Sequence, residues 1–253
     1  MSKGKDTYII IGAASGVGRN LAFQLAQKEY DLVITSRNEN DINITANDLM
    51  CRFNNVLVIP KTLDLTNISE ITAFSNWAIE SYSDNLKGIY CTAGYNTDID
   101  YGVNQSVELI TLLIDSNYRG ILLLLNPIIA FFEKRDCGLV TVFSSIAAAT
   151  PRGRNNVYGS SKAALEYYYR SLQHYYSNTN VNIHIYALGY VDTSLSFGQK
   201  LKLPIANPEK IAKMVIKNRN NKVEKVQYVP SYWMFIIFIL RHLPWFIYKR
   251  LKF

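Results

Sequence analysis

The N-terminal stretch holds the pattern that most restricts how this chain can fold: a β-prone run that meets a cluster of glycines. Thr7 to Ile11 is a continuous run of β-branched and aromatic residues, which is typical of a strand buried on both faces. It leads into Gly12-Ala-Ala-Ser-Gly16-Val-Gly18, and apolar residues at helical spacing follow. Because glycines permit a tight turn and a close backbone approach, the pattern predicts a helix whose N-terminal N–H groups can hold a pyrophosphate.

The same alternation continues along the chain. Further strands are predicted at Asp31 to Thr35, Val56 to Ile59, Leu86 to Thr92, Leu139 to Ser144, Val181 to Ala187 and Lys225 to Val229. Helical stretches separate most of them, and the one from Val103 to Lys134 contains Pro127, which should kink or restart it. With no internal repeat, this pattern predicts an α/β fold, a doubly wound parallel sheet (Rossmann fold) in three α/β/α layers. We expect a single domain over residues 1–230.

The predicted strand ends carry residues suited to a dinucleotide. At the end of the second strand the charged residue is Arg37, with no acid at Thr35 or Ser36, and an arginine there accommodates a 2′-phosphate. This favours NADPH over NADH. After the third strand, Asp64 could accept a bond from the adenine amino group or could be a turn residue only. The small residues Ala93 and Gly94 would leave room for the cofactor.

Three polar side chains near the middle of the chain could carry chemistry. In a helix, Tyr158 and Lys162 lie one turn apart on the same face, and a cation beside a phenol favours the phenolate and lowers its pKa. Such a phenol can donate a proton to a carbonyl group and take one from an alcohol. Ser145 ends a predicted strand, and its hydroxyl could hydrogen-bond the substrate oxygen where charge develops.

Taken together, residues 5 to 230 resemble the short-chain dehydrogenase/reductase family. The resemblance rests on the Gly12/Gly16/Gly18 turn, Asp64, Ala93-Gly94, Asn117, Ser145, Tyr158, Lys162, and Gly189 with Thr193. It implies that the catalytic residues are Asn117, Ser145, Tyr158 and Lys162, with the asparagine supporting a proton relay through water and the lysine binding the nicotinamide ribose. It also implies a homodimer or homotetramer.

The predicted NADP(H)-binding set extends around the whole cofactor. It comprises Gly12, Ser15, Gly16, Val17, Gly18, Arg37, Asp64, Leu65, Ala93, Gly94, Tyr158, Lys162, Gly189, Val191 and Thr193.

Four positions depart from the family pattern. Ile11 replaces a threonine before the first glycine. Position 15 is a serine and not a basic residue, so the NADP preference depends on Arg37 alone. Cys91-Thr92 replaces an Asn-Asn pair, which should weaken fixation of the central strand. Leu188 replaces a proline before Gly189, so the loop over the nicotinamide should be less rigid.

Charge, histidine and cysteine content indicate which partners, metal sites and cellular settings the sequence favours. The net charge of +7 is a C-terminal property, because residues 200–253 hold 12 Lys or Arg and 2 Asp or Glu. No nucleic-acid-binding motif accompanies this charge, so we expect no nucleic-acid partner. The three scattered histidines predict no metal site. An odd cysteine count without a secretory signal pattern indicates a reducing, cytoplasmic setting.

Residues 231–253 form a hydrophobic and basic C-terminal extension. Eight apolar residues from Trp233 to Leu240 are far fewer than the ~20 that a spanning helix needs. Aromatic residues interleaved with Lys249, Arg250 and Lys252 could instead lie on an anionic membrane surface, which would place the protein on the inner face of a membrane. The alternatives are that this segment caps the substrate pocket or packs against another subunit.

The sequence thus predicts an NADPH-dependent carbonyl reductase that converts a ketone to a secondary alcohol or runs the reverse oxidation. An apolar segment with Leu195, Phe197, Leu201 and Leu203 could close over the substrate. One alternative is a fatty-acyl or sphingoid 3-ketone reductase at a membrane surface. An alternative of another class is a non-catalytic NADP(H)-binding sensor or scaffold. Arg152 and Arg154 could meet a phosphate or carboxylate, or could be solvated loop arginines.

Overall fold

A computed structural model describes residues 5–192 and 205–251. The strands are β1 (Thr7–Ile11), β2 (Asp31–Ser36), β3 (Val58–Thr62), β4 (Leu86–Cys91), β5 (Gly138–Ser145), β6 (Val181–Leu188) and β7 (Gln227–Val229). They form one parallel sheet in the order β3-β2-β1-β4-β5-β6-β7. The predicted doubly wound parallel sheet is confirmed.

Helices cover both faces of this sheet. They are α1 (Gly16–Ala26), α2 (Glu39–Arg52), α3 (Ile68–Ser81), α4 (Val107–Ile114), α5 (Gly120–Lys134), α6 (Asn156–Tyr175), α7 (Pro208–Asn218), α8 (Tyr232–His242) and α9 (Trp245–Tyr248). Apolar residues of α1, α2 and α7 fill the core on one face, and those of α3, α5 and α6 fill the core on the other. The result is the three-layer arrangement that the alternation of elements predicts.

Strand β1 lies at the centre of the sheet, which explains its unbroken hydrophobic sequence. Tyr8 and Ile10 join one core, whereas Ile9 and Ile11 join the other, so no face of this strand meets water. Its neighbours are β2 on one side and β4 on the other. The strand order therefore reverses at β1, and a crevice opens beyond the carboxyl ends of β1 and β4.

The third strand begins two residues later than the predicted Val56 and ends at Thr62 rather than Ile59. It contains Pro60, which has no N–H to donate to a ladder. Because β3 lies at the edge of the sheet and pairs with β2 alone among the described strands, this missing donor leaves no neighbour unsatisfied. The sequence prediction of its bounds was wrong because a proline is tolerated at a sheet edge.

The predicted helix from Val103 to Lys134 is broken, but not at Pro127. A turn of π-helix at Asp115–Arg119 separates α4 from α5, whereas α5 runs through Pro127 without interruption. The carbonyl that loses its helical donor to this proline belongs to Leu123, which is exposed, so water can replace the donor. The break instead coincides with Asn117, one of the predicted catalytic residues.

The C-terminal helices pack on the body of the protein beside the carboxyl edge of the sheet. On α8, Trp233 and Ile237 are buried against Ile146, which follows β5. Arg241 Nε donates to the carbonyl oxygen of Ala149 at 3.1 Å, and the Tyr248 hydroxyl donates to that of Pro151. No described helix is long and apolar enough to cross a membrane.

Candidate active site

A cleft of about 460 Å³ opens beyond the carboxyl ends of β1 and β4 and extends to the end of β5 and the start of α6. This volume is in the range of small-molecule sites. Most of the predicted site residues line it, namely Gly12, Ser15, Gly16, Val17, Gly18, Arg37, Leu65, Ala93, Gly94, Ser145, Tyr158, Lys162, Gly189 and Val191. Residues from distant parts of the sequence thus converge on one cleft.

The glycine turn at one end of the cleft requires its glycines. Gly12 has φ +87° and Gly16 has φ +53°, a conformation that glycine adopts without strain. A Cβ on Gly18 would lie 2.1 Å from the Gly12 carbonyl oxygen, so no larger residue fits. The side chain of Ser15 makes no capping bond to α1, which leaves it and the first N–H groups of the helix available to an anion.

Thr92 fixes the end of the central strand, which corrects the expectation that Cys91-Thr92 would weaken it. Its Oγ1 lies 3.0 Å from the carbonyl oxygens of both Ile11 and Gly12. Because this bond joins the end of β4 to the start of the glycine turn, the threonine holds the two sides of the cleft together. The neighbouring Cys91 is buried in the core, where burial raises the pKa of its thiol to about 11.

Ser145 and Tyr158 meet at the other end of the cleft. Ser145 ends β5, and its Oγ accepts a hydrogen bond from the backbone N–H of Ala147 at 3.1 Å. Tyr158 lines the same cleft, and the Ser145 hydroxyl is near enough to act on the pKa of its phenol. Burial raises the pKa of Tyr158, whereas the Ser145 hydroxyl and the charge of Arg152 lower it. The net direction is upward, so at neutral pH Tyr158 is a protonated phenol and can act as an acid.

Lys162 lies one turn further along α6 and is buried, with 4% of its surface exposed. Its Nζ donates to the carbonyl oxygen of Phe143 on β5 at 3.0 Å. Burial lowers the pKa of Lys162 to about 8, and the neighbouring Cys91 raises it. The expectation that Lys162 lowers the pKa of Tyr158 is not met here, because Ser145 and Arg152 are the groups that do so.

Asn117 lies behind the cleft wall rather than on it. Its side chain is fully buried; Oδ1 accepts from the Tyr95 N–H at 3.0 Å, and Nδ2 donates to the carbonyl oxygens of Tyr95 and Leu113. The π-turn around it places this amide beneath the loop after β4. A Cβ on Gly94 would lie 2.9 Å from Asn117 Oδ1 and 3.2 Å from Lys162 Nζ, so the glycine is needed for this close approach.

Arg37 and Asp64 differ in how they meet the cleft. Arg37 lines it, with its guanidinium 5.7 Å from the centre of the Tyr95 ring. Asp64 is not among the lining residues, although Leu63 and Leu65 on either side of it are. Asp64 Oδ1 accepts from the N–H and the hydroxyl of Thr66, each at 2.8 Å. This fits the turn role, and a contact with adenine stays a prediction.

Both the sequence and the fold of this chain match known proteins. The model of the short chain dehydrogenase family matches residues 6–202, which is more than half of the chain. The chain belongs to the short-chain dehydrogenase family. It is 28% identical over 215 residues to an uncharacterized oxidoreductase of Staphylococcus epidermidis, covering 82% of this chain and 89% of that protein.

The chain is also similar to a named reductase and to a solved structure. A ketoacyl reductase of Nostoc sp. is 24% identical over 225 residues, which is 87% of this short-chain dehydrogenase and 77% of the relative. Among solved structures, a short-chain dehydrogenase from Sphingobium yanoikuyae in complex with NADPH superposes with a TM-score of 0.80 at 20% identity, covering 98% of this chain and 96% of that one. This last likeness shows the shared fold.

In this short-chain dehydrogenase the loop after β6 is fixed without the family's proline. The Gly189 N–H donates to the carbonyl oxygen of Val229 at 2.8 Å, and a Cβ on Gly189 would lie 2.0 Å from Trp233 Nε1. Leu188 itself packs on the core. The start of the loop is thus held by β7 and α8, and the expected lower rigidity of the loop beyond it stays a prediction. Thr193 lies outside the described residues, as do Leu195, Phe197, Leu201 and Leu203.

Asp100, which no sequence pattern indicated, fixes the start of the helix that carries Tyr158. Asp100 is 1% exposed; its Oδ1 accepts from the Val157 N–H at 3.1 Å and its Oδ2 from the Tyr158 N–H at 2.8 Å. Gln105 Nε2 also donates to Oδ1 at 3.0 Å. The N-cap residue Asn155 makes no side-chain capping bond, so a carboxylate from a distant loop caps α6 instead.

We expect Asp100→Ala to lower the free energy of unfolding by about 1–3 kcal/mol, because the N–H groups of Val157 and Tyr158 then lose their acceptor. Turnover should also fall, since the first turn of α6 is no longer fixed. Urea denaturation and steady-state kinetics measure both effects. Asp98→Ala is the matched control, because Asp98 is exposed in the same loop. Equal stability of the two variants would contradict the capping role.

A second prediction concerns the buried Lys162. The pKa of Lys162 is about 8 in the folded protein, and its ordinary value is 10.5. Between pH 8 and pH 10.5 the lysine is therefore protonated in the unfolded chain and neutral in the folded protein. The free energy of unfolding should therefore rise with pH across this window, by up to about 3 kcal/mol, and the same contribution is lost as pH falls through 8.

Lys162→Met should abolish this rise, whereas the exposed Lys217→Met should keep it. Denaturation titrations of the three proteins from pH 7 upward give the difference directly, and contributions from buried tyrosines cancel because all three proteins share them. If the free energy of unfolding changes with pH in the same way for the native protein and Lys162→Met, the burial of Lys162 does not lower its pKa.

Proposed function

We propose that this protein is an NADPH-dependent ketone reductase that forms a secondary alcohol. The observation that carries the proposal is that Ser145, Tyr158 and Lys162 line one cleft together with the glycine turn. A bound nicotinamide would supply the hydride. The chain itself would position the ketone and supply the proton.

The roles of the side chains follow from their positions. The Ser145 hydroxyl would donate to the ketone oxygen, and Tyr158 would give its proton to that oxygen as negative charge develops. Burial keeps Tyr158 protonated at neutral pH, which supports work in the direction of reduction. Lys162 would bind the nicotinamide ribose, and Asn117 would support the passage of protons from solvent through water.

The choice of NADPH rests on charge at the far end of the cleft. Arg37 lines the cleft just beyond the end of β2, and an arginine at this point of such a fold can bind a 2′-phosphate. No Asp or Glu is among the described residues that line the cleft. The solved structure of the Sphingobium yanoikuyae protein is a complex with NADPH, which supports this choice.

A fatty-acyl or sphingoid 3-ketone is the more specific substrate class that we favour. Ile146, Leu188 and Tyr190 give the substrate end of the cleft an apolar wall, on which a hydrocarbon chain can pack. The Nostoc relative is named a ketoacyl reductase, which supports a substrate of this kind.

Replacement of Tyr158 by phenylalanine tests the reaction. We expect Tyr158→Phe to lower kcat by about 10²–10⁴-fold, because the proton donor is lost, with NADPH affinity little changed. NADPH oxidation with a panel of ketones is the measurement. Tyr167→Phe is the control, since this tyrosine is exposed on the same helix.

Two outcomes would count against the proposal. Turnover that survives Tyr158→Phe would remove this mechanism. Tight NADPH binding by the native protein with no turnover of any ketone would favour the non-catalytic sensor or scaffold.

The C-terminal helices support a further part of the proposal, peripheral contact with a cytoplasmic membrane surface. Large apolar residues of α8 and α9 point away from the body and are exposed, namely Met234, Phe235, Phe238, Ile239, Trp245, Phe246 and Ile247. Arg241, Lys249 and Arg250 lie among them and are also exposed. Apolar side chains beside cations suit a bilayer with anionic headgroups, because the side chains enter the interface while the cations meet phosphate.

Vesicle sedimentation tests this contact. The native protein should bind vesicles of phosphatidylcholine with phosphatidylglycerol, should bind less at high salt because salt screens the charges, and should bind weakly to phosphatidylcholine alone. Phe235→Ser with Phe238→Ser should abolish binding, whereas Ile44→Ser, an exposed site on α2, should not.

The same variants separate a membrane from a second subunit. If the native protein ignores anionic vesicles and the double substitution instead dissociates an oligomer, the exposed surface is a subunit interface. A homodimer or homotetramer stays a prediction, as does the division into residues 1–230 and 231–253.

A further inference from the structure

Arg152 lies at the substrate end of the cleft, on the loop between β5 and α6. It lines the same cleft as Ser145 and Tyr158, and its charge acts on the Tyr158 hydroxyl. This position differs from that of Arg37, which lies beyond β2 at the other end of the cleft, near the glycine turn. Arg152 is therefore close to the place where a ketone would react.

The guanidinium of Arg152 has no partner within the described part of the chain. No ion pair or hydrogen bond involves it, and its Nε is enclosed by protein without an acceptor. An enclosed N–H that makes no hydrogen bond costs free energy unless a ligand supplies the acceptor. The loop therefore keeps an arginine in the cleft without any protein group to satisfy it.

The charge of the cleft points the same way. The described residues that line it include the cations Arg37, Lys162 and Arg152 and no carboxylate. Arg37 is assigned to the cofactor's 2′-phosphate and Lys162 to the ribose. Arg152 is the cation that these cofactor roles leave over, and it faces the space that remains for the substrate.

Hydrogen bonds fix the loop that carries Arg152 on both sides of this residue. Ala149 and Pro151 accept hydrogen bonds from Arg241 and Tyr248 of the C-terminal segment. On the other side, the Gly153 carbonyl accepts from the Gly102 N–H at 3.3 Å, and the Asn155 N–H donates to the Asp100 carbonyl at 2.7 Å. The backbone on either side of Arg152 is thus held in place before a ligand arrives, which lowers the entropic cost of ordering this loop on binding.

We propose that Arg152 binds a carboxylate carried by the substrate, so that the substrate is a 3-oxo fatty acid with a free carboxylate rather than an acyl thioester or a sphingoid base. This inference rests on the proposed ketone reductase function. A planar guanidinium matches a carboxylate with two parallel hydrogen bonds. Because Arg152 lies near Tyr158, the carboxylate is only a few bonds from the ketone, as in a 3-oxo acid, and the hydrocarbon chain packs on Ile146, Leu188 and Tyr190.

A matched pair of substrates tests this assignment. The probes are 3-oxooctanoate and its methyl ester, which share the ketone and the chain but differ in charge. We expect the native protein to prefer the acid in kcat/KM. Arg152→Gln should reduce that acid-to-ester preference by about tenfold or more, through KM more than kcat, because a hydrogen-bonded charge pair is lost. Arg152→Lys should retain part of the preference.

Arg154→Gln is the control, because Arg154 is an exposed arginine two residues away on the same loop, and it should leave the preference unchanged. Equal preference in the native protein and Arg152→Gln would overturn the assignment while ketone reduction stands. Dependence on Arg152 only with 3-oxooctanoyl coenzyme A would also overturn it, since phosphate would then be the ligand.

Calorimetry with octanoate provides a readout that does not need turnover. The native protein, with NADPH present, should bind octanoate at least about tenfold more tightly than Arg152→Gln does. If octanoate binding depends on Arg152 but no ketone is reduced, the carboxylate site stands and the proposed reaction fails. If octanoate binds the two proteins equally, the carboxylate site is wrong.

Discussion

A buried cation holds the active site of this short-chain dehydrogenase together. Lys162 extends from α6 to the carbonyl oxygen of Phe143 near the end of β5, so it connects the helix that carries Tyr158 with the strand that ends in Ser145. Burying an ammonium group is costly, and its lowered pKa expresses that cost. The position of the helix relative to the sheet thus depends on a bond whose charged partner is kept out of water.

The second fixed point of that helix is its N-terminus. Asp100 holds the first turn of α6 through the N–H groups of Val157 and Tyr158, and the C-terminal segment holds the loop before it. Tyr158 therefore sits between a carboxylate cap on one side and the buried Lys162 on the other. Burial raises the pKa of its phenol, and the nearby Ser145 hydroxyl and the charge of Arg152 lower it.

Patterns within short stretches of the sequence predicted the strands, the glycine turn and the order of the elements. The run of Thr7 to Ile11, its glycine turn and the alternation of strands and helices follow from periodicity and backbone geometry, so the parallel sheet and most of the cleft were predictable. Asp100 was not, because capping of α6 by a residue 57 positions earlier leaves no mark at either place. The break at Asn117 was missed because Pro127 was the more conspicuous helix breaker. The role of Thr92 needed the spatial approach of β4 to the glycine turn.

The contact between Trp233 and Gly189 carries a practical consequence. An indole nitrogen occupies the space where any side chain at Gly189 would begin, so the C-terminal helix forms one wall of the loop beyond β6. A shortened form that stops near residue 230 would leave a tryptophan-sized hole there. Expression of a minimal catalytic core would therefore remove the support behind Gly189, which lines the cleft, and affinity tags are better attached at the other end of the chain.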